Sequence, residues 1–217
     1  MFAVGLTGGV ASGKSLAAHI LESLGAIRFS ADEASRAVTG ANSPLVSEIA
    51  RTFGPQVLLP SGALNRAYLA KRIFADAQTR QRLERLLHPA ILRLLWAQME
   101  ACRYDFAADT IVVVEVPLLF EVHLEGWFHR TVAVFAPEAV LLERIQARDM
   151  LSKKEAKLRL AAQWPVEQKA ARADYVLRNE GDISQFHHAV LRLWNILRQE
   201  AQGQERPFQI HRPQFIE

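Results

Sequence analysis

One eight-residue segment, Gly8-Gly9-Val10-Ala11-Ser12-Gly13-Lys14-Ser15, constrains this chain more than any other. It fits G-x-x-x-x-G-K-[ST] at every fixed position, and the pattern has a physical demand behind it. Successive backbone N–H groups must point inward at phosphate oxygens, so glycine stands where a side chain would block them. The helix that follows adds the partial positive charge of its N-terminus. Lys14 then reaches the β- and γ-phosphates, and the Ser15 hydroxyl ligates Mg²⁺. The motif requires a strand before it and a helix after it, and the flanks supply both. Residues 2–6 are short, apolar and β-prone, while Leu16, Ala17, Ile20, Leu21 and Leu24 recur at helical intervals until Gly25 stops the run. A glycine turn that merely joins strand to helix is the bland alternative, and the flanks favour a phosphate-binding loop over it. Lys14 is expected to stand exposed in that loop and to add little to stability.

Composition sets the context. The chain has 217 residues, 26 basic and 23 acidic, a formal charge of +3, and 50% apolar residues, which is ordinary globular usage and excludes disorder. The single cysteine, Cys102, excludes a disulfide scaffold. No apolar run reaches the roughly 18 residues that would span a bilayer. No basic flank precedes the apolar N-terminal stretch, so a secretory leader is not expected and a cytoplasmic location is. The slight basic excess fits a phosphorylated small molecule as well as nucleic acid.

Beyond the loop, the chain alternates strand and helix. Ile27-Arg28-Phe29 reads as a second strand, with Asp32 where a helix cap would sit. Residues 43–103 read as a helical insertion, broken by turn signals at Gly54-Pro55, Pro60-Ser61-Gly62 and His88-Pro89. Ile111–Val114 and Thr131–Phe135 are continuous β-branched runs of the kind covered on both faces, and Asp174–Leu177 is a weaker one. Helices are expected at 137–149 and 183–199. This order predicts an α/β fold with a parallel sheet and right-handed crossovers. The tail from 204 to 217, with Pro207 and Pro213, is expected to be loosely attached.

A phosphate loop alone does not separate an enzyme from a switch. A guanine-nucleotide switch needs N/T-K-x-D, and no lysine here has Asp two places on. A transporter ATPase needs a Ser-Gly-Gly signature, which is absent. A small kinase needs an acceptor site and a basic cover. Arg144 and Arg148 lie one helical turn apart, with Lys153, Lys154, Lys157 and Arg159 beyond them, and guanidinium groups neutralise a transferring phosphoryl group well. The segment 144–169 is therefore the candidate lid, expected to be poor in large apolar anchors. A solvated basic helix face is the alternative for any one of these residues.

At this point the residues carry a family resemblance. Gly5-Leu6-Thr7-Gly8-Gly9 through Ser15, Ala31-Asp32 with Arg36, Leu87-His88-Pro89, and Pro117-Leu118-Leu119-Phe120-Glu121 look like dephospho-CoA kinase. Arg148-Asp149, Gln163, Lys169, Ala173-Asp174 and Asn179 are similar to the same family in order and spacing. The resemblance runs from about residue 3 to residue 181. It implies a P-loop nucleotide-kinase-like fold with a five-stranded parallel sheet: a nucleotide-binding core (1–31, 108–143, 170–203), a helical CoA-binding insertion (32–107) and the lid (144–169).

The implied reaction is ATP phosphorylation of the 3′-hydroxyl of dephospho-CoA, with Mg²⁺, as the last step of coenzyme A synthesis. Lys14, Asp32 and Arg148 are the implied catalytic residues, with Asp32 orienting the hydroxyl or taking its proton. Gly8 to Ser15, Leu16, Arg144 and Asn179 would bind ATP, with Asn179 on the adenine side. Asp32, Arg36, His88, Leu118 and Glu121 would bind the acceptor. His88 could instead mark a helix junction, Asp32 could serve only as a cap, and Glu121 could be a helix-terminus charge.

The expected partners are the two small-molecule substrates, with no nucleic acid and no membrane, and the chain a monomer or weak homo-oligomer. Several positions depart from the family's usual pattern: Ser30 replaces an acid, Glu115 an aspartate, Ala11 a glycine and Leu16 a threonine. The alternatives are another small nucleoside or nucleotide kinase of this fold, or an ATP-binding nucleic-acid module. The scattering of the arginines along the chain argues against the last.

Overall fold

The computed structural model describes residues 1–40 and 43–203, so the tail singled out above lies outside the described residues. Five parallel strands form the sheet, in the order β2-β3-β1-β4-β5. They are β1 (Phe2–Gly8), β2 (Ile27–Ser30), β3 (Ile111–Glu115), β4 (Arg130–Phe135) and β5 (Tyr175–Arg178). Every residue of β1 and β3 is buried, as a parallel sheet covered on both faces requires. The register sets Glu115 opposite both Leu6 and Ser30, so β2 and β3 end level with each other and β1 runs two residues further, to Gly8. Ligands of open α/β sheets bind outside the carboxyl ends of the strands, and here the strand order reverses at β1 and β3.

Helix α1 (Lys14–Ser23) follows the loop after β1, and α9 (Ile183–Gln202) follows β5. Leu21 and Ala17 of α1 and Val190, Leu193 and Leu197 of α9 bury their apolar stripes with Val4, Leu6, Val113 and Val132 of the sheet. At roughly 1.5–3 kcal/mol for each large side chain, this cluster is the main source of stability for the strands that carry the loop.

The described residues divide into two compact units: 1–30 with 97–203, and 31–96. The second unit contains α2 (Ala31–Val38), α3 (Pro44–Phe53), α4 (Arg66–Ala75) and the first part of α5 (Ala77–Asp105). Ser43 and Asn65 cap α3 and α4 through their side-chain oxygens, and Val46, Ile49, Phe53, Leu69 and Leu83 share a buried cluster. Two readings of this stretch are corrected. An antiparallel bridge between Leu58 and Leu64 interrupts the helices. The break expected at His88-Pro89 does not occur, because α5 continues through Pro89. Proline inside a helix costs about 3 kcal/mol. Burial of Leu83, Leu95 and Met99 along the same helix outweighs that cost.

The segment 144–169 also differs from expectation. It comprises the end of α6 (Glu138–Asp149), α7 (Lys153–Leu160) and the start of α8 (Val166–Arg172). Ser152 and Glu155 close a capping box that starts α7. Far from lacking anchors, α7 buries Ala156 against Leu142 and Ile145 of α6, with Val10 and Ala11 of the loop beside them. Val166 packs with Leu141 and Ala136, and Leu160 touches both clusters. Small and medium apolar residues anchor this segment, which is why a search for large ones missed them.

His129 closes the edge of β1 in an unusual way. Its backbone N–H donates to Ala3 O at 2.9 Å, while the Ala3 N–H donates to its Nδ1 at 2.8 Å. The ring stacks on Phe2 with centroids 4.7 Å apart. Burial pushes the imidazole pKa from the usual 6.5 down to about 4. Protonating Nδ1 would also remove the acceptor for Ala3. Between those two values the unfolded chain binds a proton that the folded chain refuses, so stability falls as pH drops through that window. The melting temperature should decline from pH 7 to pH 4.5, and His129→Asn, which keeps an acceptor but cannot titrate, should flatten the decline. Parallel declines in both proteins, followed by circular dichroism, would assign the effect elsewhere.

Candidate active site

The loop after β1 turns on two glycines. Gly8 has φ +145° and Gly13 φ +101°, conformations that L side chains rarely adopt. A Cβ at Gly8 would collide with the Val134 carbonyl, and one at Gly13 with the side-chain amide of Asn179. Ala11 takes φ +61° without being glycine. The Ser12 N–H donates to Gly9 O at 3.2 Å, closing the turn. Ser12 is fully buried, and its hydroxyl has no partner among the described residues. A backbone cradle with an unpaired buried hydroxyl fits a polyanion.

Lys14 departs from expectation. It is 8% exposed, and its Nζ donates to Gly9 O at 2.7 Å and Gly8 O at 3.2 Å. The side chain curls back over the loop because the two carbonyls accept from an ammonium that would otherwise be buried without them. Ser15 Oγ donates to Oε1 of Glu115 at 2.7 Å, and Glu115 is itself buried. A hydroxyl beside a carboxylate is a hard-oxygen donor set suited to Mg²⁺. Leu16, next along α1, stands partly exposed.

Two of the predicted ATP-side residues are joined. Asn179 lies just past β5 and is buried, with its backbone N–H donating to Phe135 O at 2.8 Å. Its Nδ2 donates to the Ser12 carbonyl at 2.7 Å. Arg144 of α6 donates to the Asn179 carbonyl at 3.1 Å. Arg148, one turn further, is more than half exposed and pairs side-on with Asp149, Nε and Nη2 each 2.9 Å from a carboxylate oxygen. Arg159 of α7 meets the same carboxylate. The hydrogen bond from Arg148, with the charges of both arginines, holds the Asp149 carboxyl below its usual pKa.

Glu121, expected at the substrate, is engaged by protein. Its Oε1 accepts from the Trp164 N–H at 3.0 Å and pairs with Lys169 Nζ at 2.8 Å. Lys169 is fully buried and also donates to Pro117 O at 2.6 Å. The same carbonyl accepts from Thr7 Oγ1 at 3.1 Å, immediately before the phosphate loop. Burial pushes the Lys169 ammonium pKa down, against the pull of Glu121. Leu118 lies in this turn with its side chain half-buried. The roles of Thr7 and Lys169 as braces had no local signal, since each depends on a partner distant in sequence, whereas Asp149 stands beside its partner Arg148. Glu115 was visible only as a departure from the family's pattern.

The remaining predicted residues belong to the unit of residues 31–96. The helix starts at Ala31, directly after β2, so Asp32 sits in its first turn rather than at the cap and is exposed. A carboxylate there is favoured by the helix dipole. Arg36 lies one turn on, also exposed. His88 is half-buried within α5, and burial lowers its imidazole pKa.

Comparison with known proteins gives a consistent picture. Residues 2–185 match the family described as dephospho-CoA kinase. The dephospho-CoA kinase of Syntrophotalea carbinolica is 43% identical over 193 residues, covering 89% of this chain and 90% of the relative. That of Moorella thermoacetica is 42% identical over 207 residues, covering 95% and 97%. Among solved structures, the dephospho-CoA kinase from Campylobacter jejuni superposes with a TM-score of 0.67 at 26% identity, covering 91% of this chain and 98% of that one.

The buried pair gives a test of what Glu121 does. Lys169→Met leaves the Glu121 carboxylate buried without its cation and should cost about 3–5 kcal/mol in urea unfolding. The double variant Lys169→Met, Glu121→Leu should recover most of that loss. A Lys169→Met protein as stable as the parent would show that the pair does not hold the turn.

Proposed function

The chain belongs to the dephospho-CoA kinase family, and we propose that it transfers the γ-phosphoryl group of ATP to the 3′-hydroxyl of dephospho-CoA, giving coenzyme A and ADP. The observation that carries this reading is the phosphate loop with Ser15 hydrogen-bonded to Glu115, in a chain that matches the family over residues 2–185. The family implies a kinase that uses ATP. Mg²⁺ would be held by Ser15 beside Glu115 and would supply neutralising charge at the phosphates. Residues 1–31, 108–143 and 170–203 serve as the nucleotide core, with 144–169 as its lid, and residues 32–107 bind the acceptor. The enzyme works in the cytoplasm, as a monomer or weak homo-oligomer without a nucleic-acid partner.

The transition state of phosphoryl transfer is loose, so positioning and charge stabilisation do most of the work. The loop N–H groups from Gly9 to Ser15 surround the phosphates, and Lys14 moves its ammonium from the Gly8 and Gly9 carbonyls to phosphate oxygens. Arg148, its guanidinium plane set by Asp149, neutralises charge on the transferring group, with Arg144 at the nucleotide end. Asp32 follows the last residue of β2 by two positions. It accepts a hydrogen bond from the 3′-hydroxyl, orients it in line and takes its proton as the new P–O bond forms and the bond to the ADP oxygen breaks. Arg36, His88 and Leu118 complete the acceptor contacts.

ADP should appear from ATP only when dephospho-CoA is added, and adenosine or AMP should not substitute for it. Equal ADP release with those acceptors would place the chain's substrate elsewhere. Asp32→Asn keeps shape but cannot accept a proton, and should lower kcat by on the order of 10²-fold with little change in ATP affinity. If titration shows lost ATP affinity and normal turnover, Asp32 is a nucleotide-side residue. Arg148→Ala should lower kcat by on the order of 10²-fold or more, and Arg148→Lys should restore only part, because an ammonium lacks the planar fork. Near-normal turnover of Arg148→Ala would remove it from the reaction.

A further inference from the structure

We propose that Asn179 is a positioning residue that holds the phosphate loop in shape from behind, rather than a reader of the adenine base. This deepens the ATP-binding role given to it above and rests on that reading.

Three observations converge on the residue. The first is the bond itself. Nδ2 of Asn179 donates to the carbonyl of Ser12 at 2.7 Å, across 167 residues of sequence, and both residues are buried. A loop whose N–H groups face an anion has carbonyls that must point the other way, and a buried carbonyl without a donor costs about 1–3 kcal/mol. Lys14 serves Gly8 and Gly9, and Asn179 serves Ser12. The second observation is the space that Gly13 leaves. A Cβ at Gly13 would collide with the Asn179 amide, so the second fixed glycine of the motif has two jobs here. It adopts φ +101° and it admits the amide that reaches Ser12.

The third observation is how Asn179 is itself fixed. Its N–H donates to Phe135 O at the end of β4, and its backbone carbonyl accepts from Arg144 Nη2. The side-chain Oδ1 lies 3.5 Å from the same nitrogen. The amide is thereby oriented, with oxygen toward the guanidinium and nitrogen toward the loop. The loop is thus tied through one side chain to the ends of β4 and β5 and to α6. The Gly13 amide, which shares its peptide plane with the Ser12 carbonyl, is set before nucleotide arrives, and binding does not have to order it.

A brace behind the phosphates and a contact at the base predict different losses. Asn179→Asp is nearly isosteric and keeps an oxygen for Arg144, but it presents an acceptor to the Ser12 carbonyl. Binding of MgATP, MgGTP and Mg-tripolyphosphate to the full-length protein should be measured by calorimetry well below the melting temperature. No acceptor is present, so the outcome is independent of whether dephospho-CoA is the substrate. For Asn179→Asp, all three ligands should weaken by the same factor, on the order of tenfold for one buried hydrogen bond lost and a repulsion gained. The ATP-to-GTP preference should be unchanged. Asn179→Ala, which loses the donor without the repulsion, should show the same uniform pattern with a smaller loss. Loss of the ATP-to-GTP preference with normal tripolyphosphate binding would make Asn179 a base contact and overturn the proposal. Unchanged affinity for all three ligands would overturn it as well.

Discussion

The backbone between Gly8 and Ser15 must keep N–H groups aimed at an anion, and the rest of the structure follows from how that backbone is held while few of them are used. A helix or strand is stabilised by pairing its own amides, whereas in this loop the Ser12 N–H, bonded to Gly9 O, closes the turn. Further support comes through carbonyls and side chains: Lys14 on Gly8 and Gly9, Asn179 on Ser12, and Glu115 on the Ser15 hydroxyl. Each brace comes from a different place. Lys14 opens α1, Asn179 follows β5, and Glu115 ends β3. A parallel sheet, whose strands all end on one edge, delivers them together.

The same logic extends to the carbonyl of Pro117. It takes one hydrogen bond from Thr7, at the end of β1, and another from Lys169 of α8. Placing a fully buried ammonium there is costly, and an apolar pair of similar volume would stabilise the fold as well or better. What the ion pair adds is direction: Lys169 and Glu121 fix Trp164 and the turn after β3 in one arrangement. The end of the 144–169 segment is therefore anchored through Lys169, whereas Arg148, nearer its start, is more than half exposed and pairs with its neighbour Asp149.

Much of this was legible in the sequence, for reasons that can be named. The phosphate loop and the parallel sheet were readable because their signals are local: a fixed glycine spacing, and apolar runs covered on both faces. What failed to show was whatever depends on partners far along the chain. The bond from Asn179 to Ser12 spans 167 residues, and no property of Asn179 alone announces it. Lys169 reads as one more cation in a basic stretch, yet it is buried, because its counter-charge, Glu121, lies in another segment. Lys14 was expected in the open for the same reason: the carbonyls that draw it in are backbone groups, which every residue has. At His88-Pro89 a true local rule was overruled, since the cost of one proline is smaller than the burial gained along the rest of α5.

Two departures from the family's usual residues also make sense only once the register is known. Ser30 stands where an acid is usual and Glu115 where aspartate is, and the strand pairing sets these two residues opposite each other. Both are buried, so two carboxylates here would face each other out of water, and one of them would have its ionisation suppressed. With serine on β2, Glu115 is the carboxyl side chain at this pairing, and its Oε1 receives the Ser15 hydroxyl at 2.7 Å. It lies against the first turn of the helix that carries Lys14 and Ser15, at the point where a hard cation beside the phosphates would find it.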